Sequence, residues 1–161
     1  GNYVADPAVG FLEPGQTATT SLKVGGRRTS HLSITAMILP TNDGFVGLSA
    51  LPIPRKAGRY LYYLHGYDAA TEANDELLVP DSGAPGVPGI PGDPGGNAGS
   101  AGTGVTGEDH NALVHLHRGI LGDLDPAGGV SDLDSAVHGW NGPVARLILT
   151  VTRRGSEHED D

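Results

Sequence analysis

The chain has 161 residues, with 10 Lys and Arg against 19 Asp and Glu, a formal charge of -9, no cysteine, 26 glycines and 12 prolines. Glycine and proline at about twice their usual ~12% share exclude an architecture of long helices, yet Leu, Ile, Val and Phe exceed the ~20% below which chains stay unfolded, so one domain with a modest core is expected. The acidic surface and the absence of any cationic run longer than Arg27-Arg28 or Arg153-Arg154 argue against nucleic acid, no apolar stretch nears the ~20 residues of a membrane helix, and the lack of cysteine removes disulfides, thiolate metal sites and Cys nucleophiles.

Taken from the N-terminus, residues 1–16 form an extension interrupted by Pro7, Pro14 and Gly15. Residues 17–24, rich in Thr and small side chains, read as a first strand. In the next segment Leu32, Ile34, Ala36 and Ile38 alternate with Ser33, Thr35 and Met37 until Pro40 stops the run. Residues 45–51, 59–65 and 112–117 follow as strands, and 145–152 places Ala145, Leu147, Leu149 and Val151 on one face. A single short helix is expected over 70–78. Six short strands divided by Gly, Pro, Asp and Asn turns predict an all-β domain over 17–153, a two-sheet antiparallel β-sandwich. Residues 81–104 depart from this pattern, with nine glycines and four prolines in 24 positions and a G-x-P register from Gly83 to Gly95. So few triplets do not hold a collagen triple helix, so a polyproline-like surface loop is expected. Residues 154–161 read as a solvated acidic tail.

Three acidic clusters lie at strand ends. The first is Thr41-Asn42-Asp43-Gly44, the second runs from Asp68 to Glu76, and the third combines Asp123 and Asp125 with Asp132 and Asp134. Calcium takes six to eight oxygen ligands from loops that wrap it, and the first two clusters follow consecutive strands and offer that inventory. The third imitates an EF-hand loop but has Ala127 at its fifth position, Asp rather than Glu at its twelfth and no flanking helices, so a turn with a structural Asp cap is expected there. His115 and His117, two apart on a strand, share a side as two ligands of one copper or zinc ion would, with His138 as a candidate partner. No Gly-x-Ser-x-Gly elbow, P-loop or strand-borne G-x-G-x-x-G is present, so a non-catalytic protein is expected.

Four segments in order resemble the spondin domain, the N-terminal domain of F-spondin and mindin, with its bacterial members the nearer likeness. They are Thr41-Asn-Asp43-Gly-Phe45-Val-Gly47, Tyr67-Asp68-Ala-Ala-Thr71-Glu72-Ala-Asn-Asp-Glu76, His115-Leu-His117-Arg-Gly119 and Trp140-Asn-Gly-Pro143-Val-Ala-Arg146. The resemblance implies a C2-like β-sandwich that binds one calcium ion through Asp43, Asp68 and Glu72. Glu72 stands where animal members carry Asp, and Ala70 stands where Gly is usual. Bacterial members also carry a β-rich stretch upstream of the position of Thr17. Its replacement by residues 1–16 implies an open sheet edge filled by another copy, and hence a homo-oligomer or filament. The combined expectation is a calcium-binding adhesion or structural module with an extracellular protein or carbohydrate ligand, secreted or in the bacterial envelope as a mature form without signal peptide. The alternative is an envelope copper or zinc protein using His115 and His117.

Overall fold

A computed structural model describes residues 11–24, 30–71, 74–78, 113–123, 125 and 130–152. The expected 81–104 loop, Glu72, the 154–161 tail and residues 1–10 of the extension lie outside the described residues.

The fold is all-β. Strands β1 (His31–Met37), β2 (Gly44–Pro52), β3 (Gly58–Asp68), β4 (His115–Leu116) and β5 (Ala145–Val151) form one five-stranded antiparallel sheet, joined by a one-turn helix α1 (Ser135–His138). The order is β1-β2-β3-β4, and β5 also pairs with β3. Alternation is clearest in β5. In β5 the residues Ala145, Leu147, Leu149 and Val151 are half-buried and the intervening ones exposed, as the sequence pattern predicts. They lie opposite Leu64, Tyr62, Tyr60 and Gly58 of β3, so apolar side chains pair across the strands on one face.

Strand β3 is the spine. Its end at residues 65–68 pairs with β2, and its beginning at 58–64 pairs with β5. The N–H of His117 donates to the carbonyl of Gly66, and that of Val144 donates to the carbonyl of Leu64. Carbonyls two residues apart on a strand point the same way, so β4 and β5 lie end to end along one edge of β3. On the other edge β2 accompanies β3 only through 44–47. Past that point its ladder with β1 shifts register between Leu32 and Ile34, and Ala50 takes a positive φ of 53°.

Two expected elements are corrected. Residues 17–24 form no strand: Leu22 and Val24 are its large apolar side chains and both are exposed, so the segment has no face to bury. Residues 74–78 are not helical, and Ala70 and Glu76 both adopt left-handed backbone angles. Here the local carboxylates compete for the backbone N–H groups that a helix would use. The helix that does form is capped by Asp134, whose carboxylate accepts the N–H of Ala136.

Among the described residues the buried apolar side chains are Leu64, Ile120 and Leu133, whereas the buried polar ones include Thr41, Asn42, Asp68, Asn74, Asp75, Glu76, His117 and Ser131. The most enclosed part of the described residues is therefore a polar lattice at the β2–β3–β4 end. Buried polar groups cost stability unless hydrogen-bonded, and the bonds below account for that density.

Candidate functional site

The site begins at the turn between β1 and β2. The hydroxyl of Thr41 donates to the carbonyl of Ile38 and accepts the N–H of Gly44 at 2.9 Å, closing the turn with a single side chain. A Cβ on Gly44 would come within 2.7 Å of that hydroxyl, so the close approach requires glycine. The turn then holds Asn42 buried and Asp43 facing the end of β3.

Register brings the first two acidic clusters together. Gly44 lies opposite Asp68, and the N–H of Ala69 donates to the carbonyl of Asp43 at 3.3 Å. The Asp43 carboxylate oxygen Oδ2 accepts both the N–H of Thr71 at 2.6 Å and its hydroxyl at 2.7 Å. Asp68, only 1% exposed, accepts the N–H of Ala70 at 2.7 Å on Oδ1 and the carboxamide of Asn74 at 2.6 Å on Oδ2. The first bond folds the chain back as an Asx turn, and Ala70 pays for it with a φ of 60°.

The rest of the second cluster serves as an anchor. Asn42 donates to Asp75 Oδ1 at 2.9 Å, which ties the β1–β2 turn to the far side of the loop. Glu76, 1% exposed with a φ of 57°, accepts the N–H of Leu121 at 2.8 Å, the N–H of Gly122 at 2.9 Å and the hydroxyl of Ser131 at 2.8 Å. Arg118 stands 3.6 Å from its Oε1 and donates to the carbonyl of Asn74 at 3.0 Å. A left-handed, buried Glu persists because the surrounding donors fix its position. It is a hub that the sequence reading did not single out. A carboxylate directly before Leu77-Leu78 is a faint signal, but its partners lie 45 to 55 residues along the chain.

The histidines go to different places. His115 lies opposite Asp68, with its Nε2 3.9 Å from Asp68 Oδ2 and its Nδ1 donating to the carbonyl of Leu113 at 3.1 Å. His117 accepts the N–H of Gly119 on Nδ1 at 2.9 Å, which puts the proton of its neutral form on Nε2, and its ring tilts against Trp140 at a centroid distance of 5.0 Å. His138 accepts the N–H of Asp134 on Nδ1 at 3.1 Å, inside its own helical turn. Among the described residues no group of three or more His, Asp or Glu side chains is placed to hold a metal ion.

The third cluster is a loop clamp. The backbone N–H groups of Asp125, Ser131 and Val130 donate to the Asp123 carboxylate and hold it below the usual carboxylate range. Asp132 accepts the N–H of Leu78 at 2.8 Å and Asp134 caps α1, so three of these acids satisfy backbone rather than ligand.

The site thus brings Asp43 and Asp68 to one end of the sheet and encloses Asp75 and Glu76 behind them, with Arg118 beside Glu76 and His115 beside Asp68. Oxygen donors of the kind that hard cations take predominate there. No helix among the described residues is long and apolar enough to cross a membrane. No family model, curated protein or solved structure matches the chain.

Proposed function

We propose that this protein is a non-catalytic extracellular module of spondin-domain type. A calcium ion bound between the Thr41–Gly44 turn and the segment following Asp68 fixes one end of its sheet for adhesion or surface assembly. The observation that supports this is the convergence of Asp43, in the turn just before β2, on Asp68, which pairs with the adjacent Gly44, the two segments being laced through Ala69 and Thr71. The residues fit the ion in kind. Each oxygen of Asp68 takes one N–H donor, which leaves a lone pair on each for coordination, and Asp43 presents a second carboxylate from the facing turn. Asp43, Asp68 and Glu72 would hold the ion, which bridges the loops and offsets the repulsion between their carboxylates. In this reading a second layer completes a β-sandwich, and the N-terminal segment serves contacts between copies in an oligomer or filament.

The test is thermal unfolding of the chain in EGTA and in rising calcium. A ligand that binds only the folded state stabilises it by about 2.7 kcal/mol at a hundredfold excess over its dissociation constant. The melting temperature of the wild type is expected to rise with calcium, and that of Asp68→Asn to stay at the EGTA value. A His115→Ala/His117→Ala variant is expected to keep the calcium response. A wild-type melting curve indifferent to calcium and EGTA overturns the reading.

A further inference from the structure

The end-to-end placement of β4 and β5 leaves a notch on the edge of β3. Pairing with β4 reaches Gly66 and pairing with β5 begins at Leu64, and between the two ends lies an open cavity of about 210 Å³ lined by His65, Gly66, His117, Arg118, Trp140 and Asn141. Its floor is built for an aromatic ring. A Cβ on Gly66 would stand 3.2 Å from the indole Nε1 and 3.3 Å from Cζ2 of Trp140, so the ring lies directly on the bare backbone of β3. Gly119, with a φ of 88°, admits the carbonyl of Trp140 at 3.3 Å from where its own Cβ would be, and the His117 ring fixes the indole from the side. Trp140 is therefore held at three points and is nonetheless only partly buried, while its neighbours Asn141 and Gly142 are exposed.

An immobilised, partly uncovered indole beside a carboxamide and a guanidinium is a platform with a polar rim. The electron-rich face of an aromatic ring attracts the slightly positive C–H bonds on one face of a pyranose, and the amide and guanidinium then meet its hydroxyls. The size fits a single ring, because the cavity falls below the ~300 Å³ at which pockets accept drug-sized ligands. The electrostatics favour a neutral ligand. The charge of Arg118 is already directed at Glu76 and at the carbonyl of Asn74, and the chain as a whole carries -9. We propose that the notch between β4 and β5 is a carbohydrate-binding subsite in which one neutral pyranose stacks on Trp140 and hydrogen-bonds to Asn141 and Arg118. This extends the adhesive reading by naming a ligand class, and it stands on residues separate from Asp43 and Asp68.

Trp140 is the single tryptophan of the chain, so fluorescence excited beyond the tyrosine absorption band reports this cavity alone. The full chain is titrated with methyl β-glucoside, methyl β-galactoside and N-acetylglucosamine, with glycerol, acetate and phosphate as comparison solutes, once in calcium and once in EGTA. At least one sugar is expected to shift the emission saturably with a half-point in the millimolar range, as a stacked single ring allows. Asn141→Ala is expected to weaken that binding about threefold to tenfold, the loss of one hydrogen bond, with the melting temperature and free emission unchanged. Trp140→Phe, followed by saturation-transfer NMR on the sugar, is expected to weaken it further. A response to sugars no greater than to glycerol, saturation by acetate or phosphate in place of sugars, or equal affinity in Asn141→Ala overturns the proposal. Sugar binding that persists in EGTA separates it from the calcium reading, whose failure would leave it intact.

Discussion

The carboxylate of Asp43 accepts two hydrogen bonds from one residue, Thr71, whose N–H and hydroxyl both reach the same oxygen across 28 positions of sequence. This pair is the clasp between the β1–β2 turn and the segment beyond β3. Charge-assisted bonds of this kind are stronger than neutral ones, although exposure of Thr71 to water reduces their worth. Thr71→Val removes the hydroxyl and keeps the N–H. It is expected to cost about 1 kcal/mol in urea denaturation, with Thr71→Ser restoring most of it.

Ala70 holds a φ of 60°, in the left-handed region that costs an L-residue roughly 1–2 kcal/mol relative to a right-handed one. Glycine has no such penalty, and its N–H would still reach Asp68 Oδ1. Ala70→Gly is therefore expected to stabilise the fold by about 1 kcal/mol after its added unfolded-state entropy is subtracted. The check is a shift of the urea midpoint with an unchanged m value. A loss of stability there would mean that the turn does not need the left-handed angle.

Glu76 satisfies three donors from two separate segments, and its removal would leave the N–H groups of Leu121 and Gly122 and the Ser131 hydroxyl without their acceptor, with Arg118 beside them. Each such loss costs about 1–3 kcal/mol, which together approach the whole stability of a small domain. Glu76→Ala is expected to lose at least about 3 kcal/mol or to fail to fold, read by circular dichroism and by solubility. Glu76→Gln retains one carbonyl acceptor and is expected to fall between the two.

The N–H groups of Asp125, Ser131 and Val130 depress the ionisation of Asp123. A carboxyl whose folded value lies below its unfolded one stabilises the fold above the unfolded value, and that contribution disappears as pH falls through the folded one. The bonds of Asp123 to the N–H groups of Val130 and Ser131 are therefore expected to hold at neutral pH and to be lost in acid, as pH falls below the ordinary carboxylate range. Amide exchange of Val130 and Ser131, compared between the wild type and Asp123→Asn, checks it. The variant is expected to exchange faster at neutral pH and to show no acid step.

Much of the sheet was legible in the residues because period-two alternation has one physical cause, a half-buried face. The inward set of β5 follows that pattern, whereas β1 forms within the run that Pro40 stops but leaves Ile34 and Ala36 exposed, with only Leu32 half-buried. Segment 17–24 misled for the opposite reason, since β-branched composition without an apolar face gives a strand nothing to pack against. The 70–78 segment looked helical by composition, but Asp68, Asp75 and Glu76 spend their oxygens on nearby and distant backbone. The approach of Asp43 to the end of β3 comes from antiparallel pairing, since the turn that enters β2 lies beside the segment that leaves β3. The hub at Glu76 and the seat beneath Trp140 did not, because both depend on partners from remote segments and on where bare glycine backbone allows contact.

The tandem arrangement along β3 also has a mechanical consequence. Tension applied at Thr152 bears first on the rung between Val151 and Gly58, the outermost of seven between β5 and its neighbour, and peels them one at a time toward Ala145. The grip of β2 and β4 on residues 65–68 lies beyond the last rung and carries none of that load. Under traction at Thr152, β5 would come away from β3 rung by rung while residues 65–68 stayed paired, so the acidic end of the sheet would keep its shape.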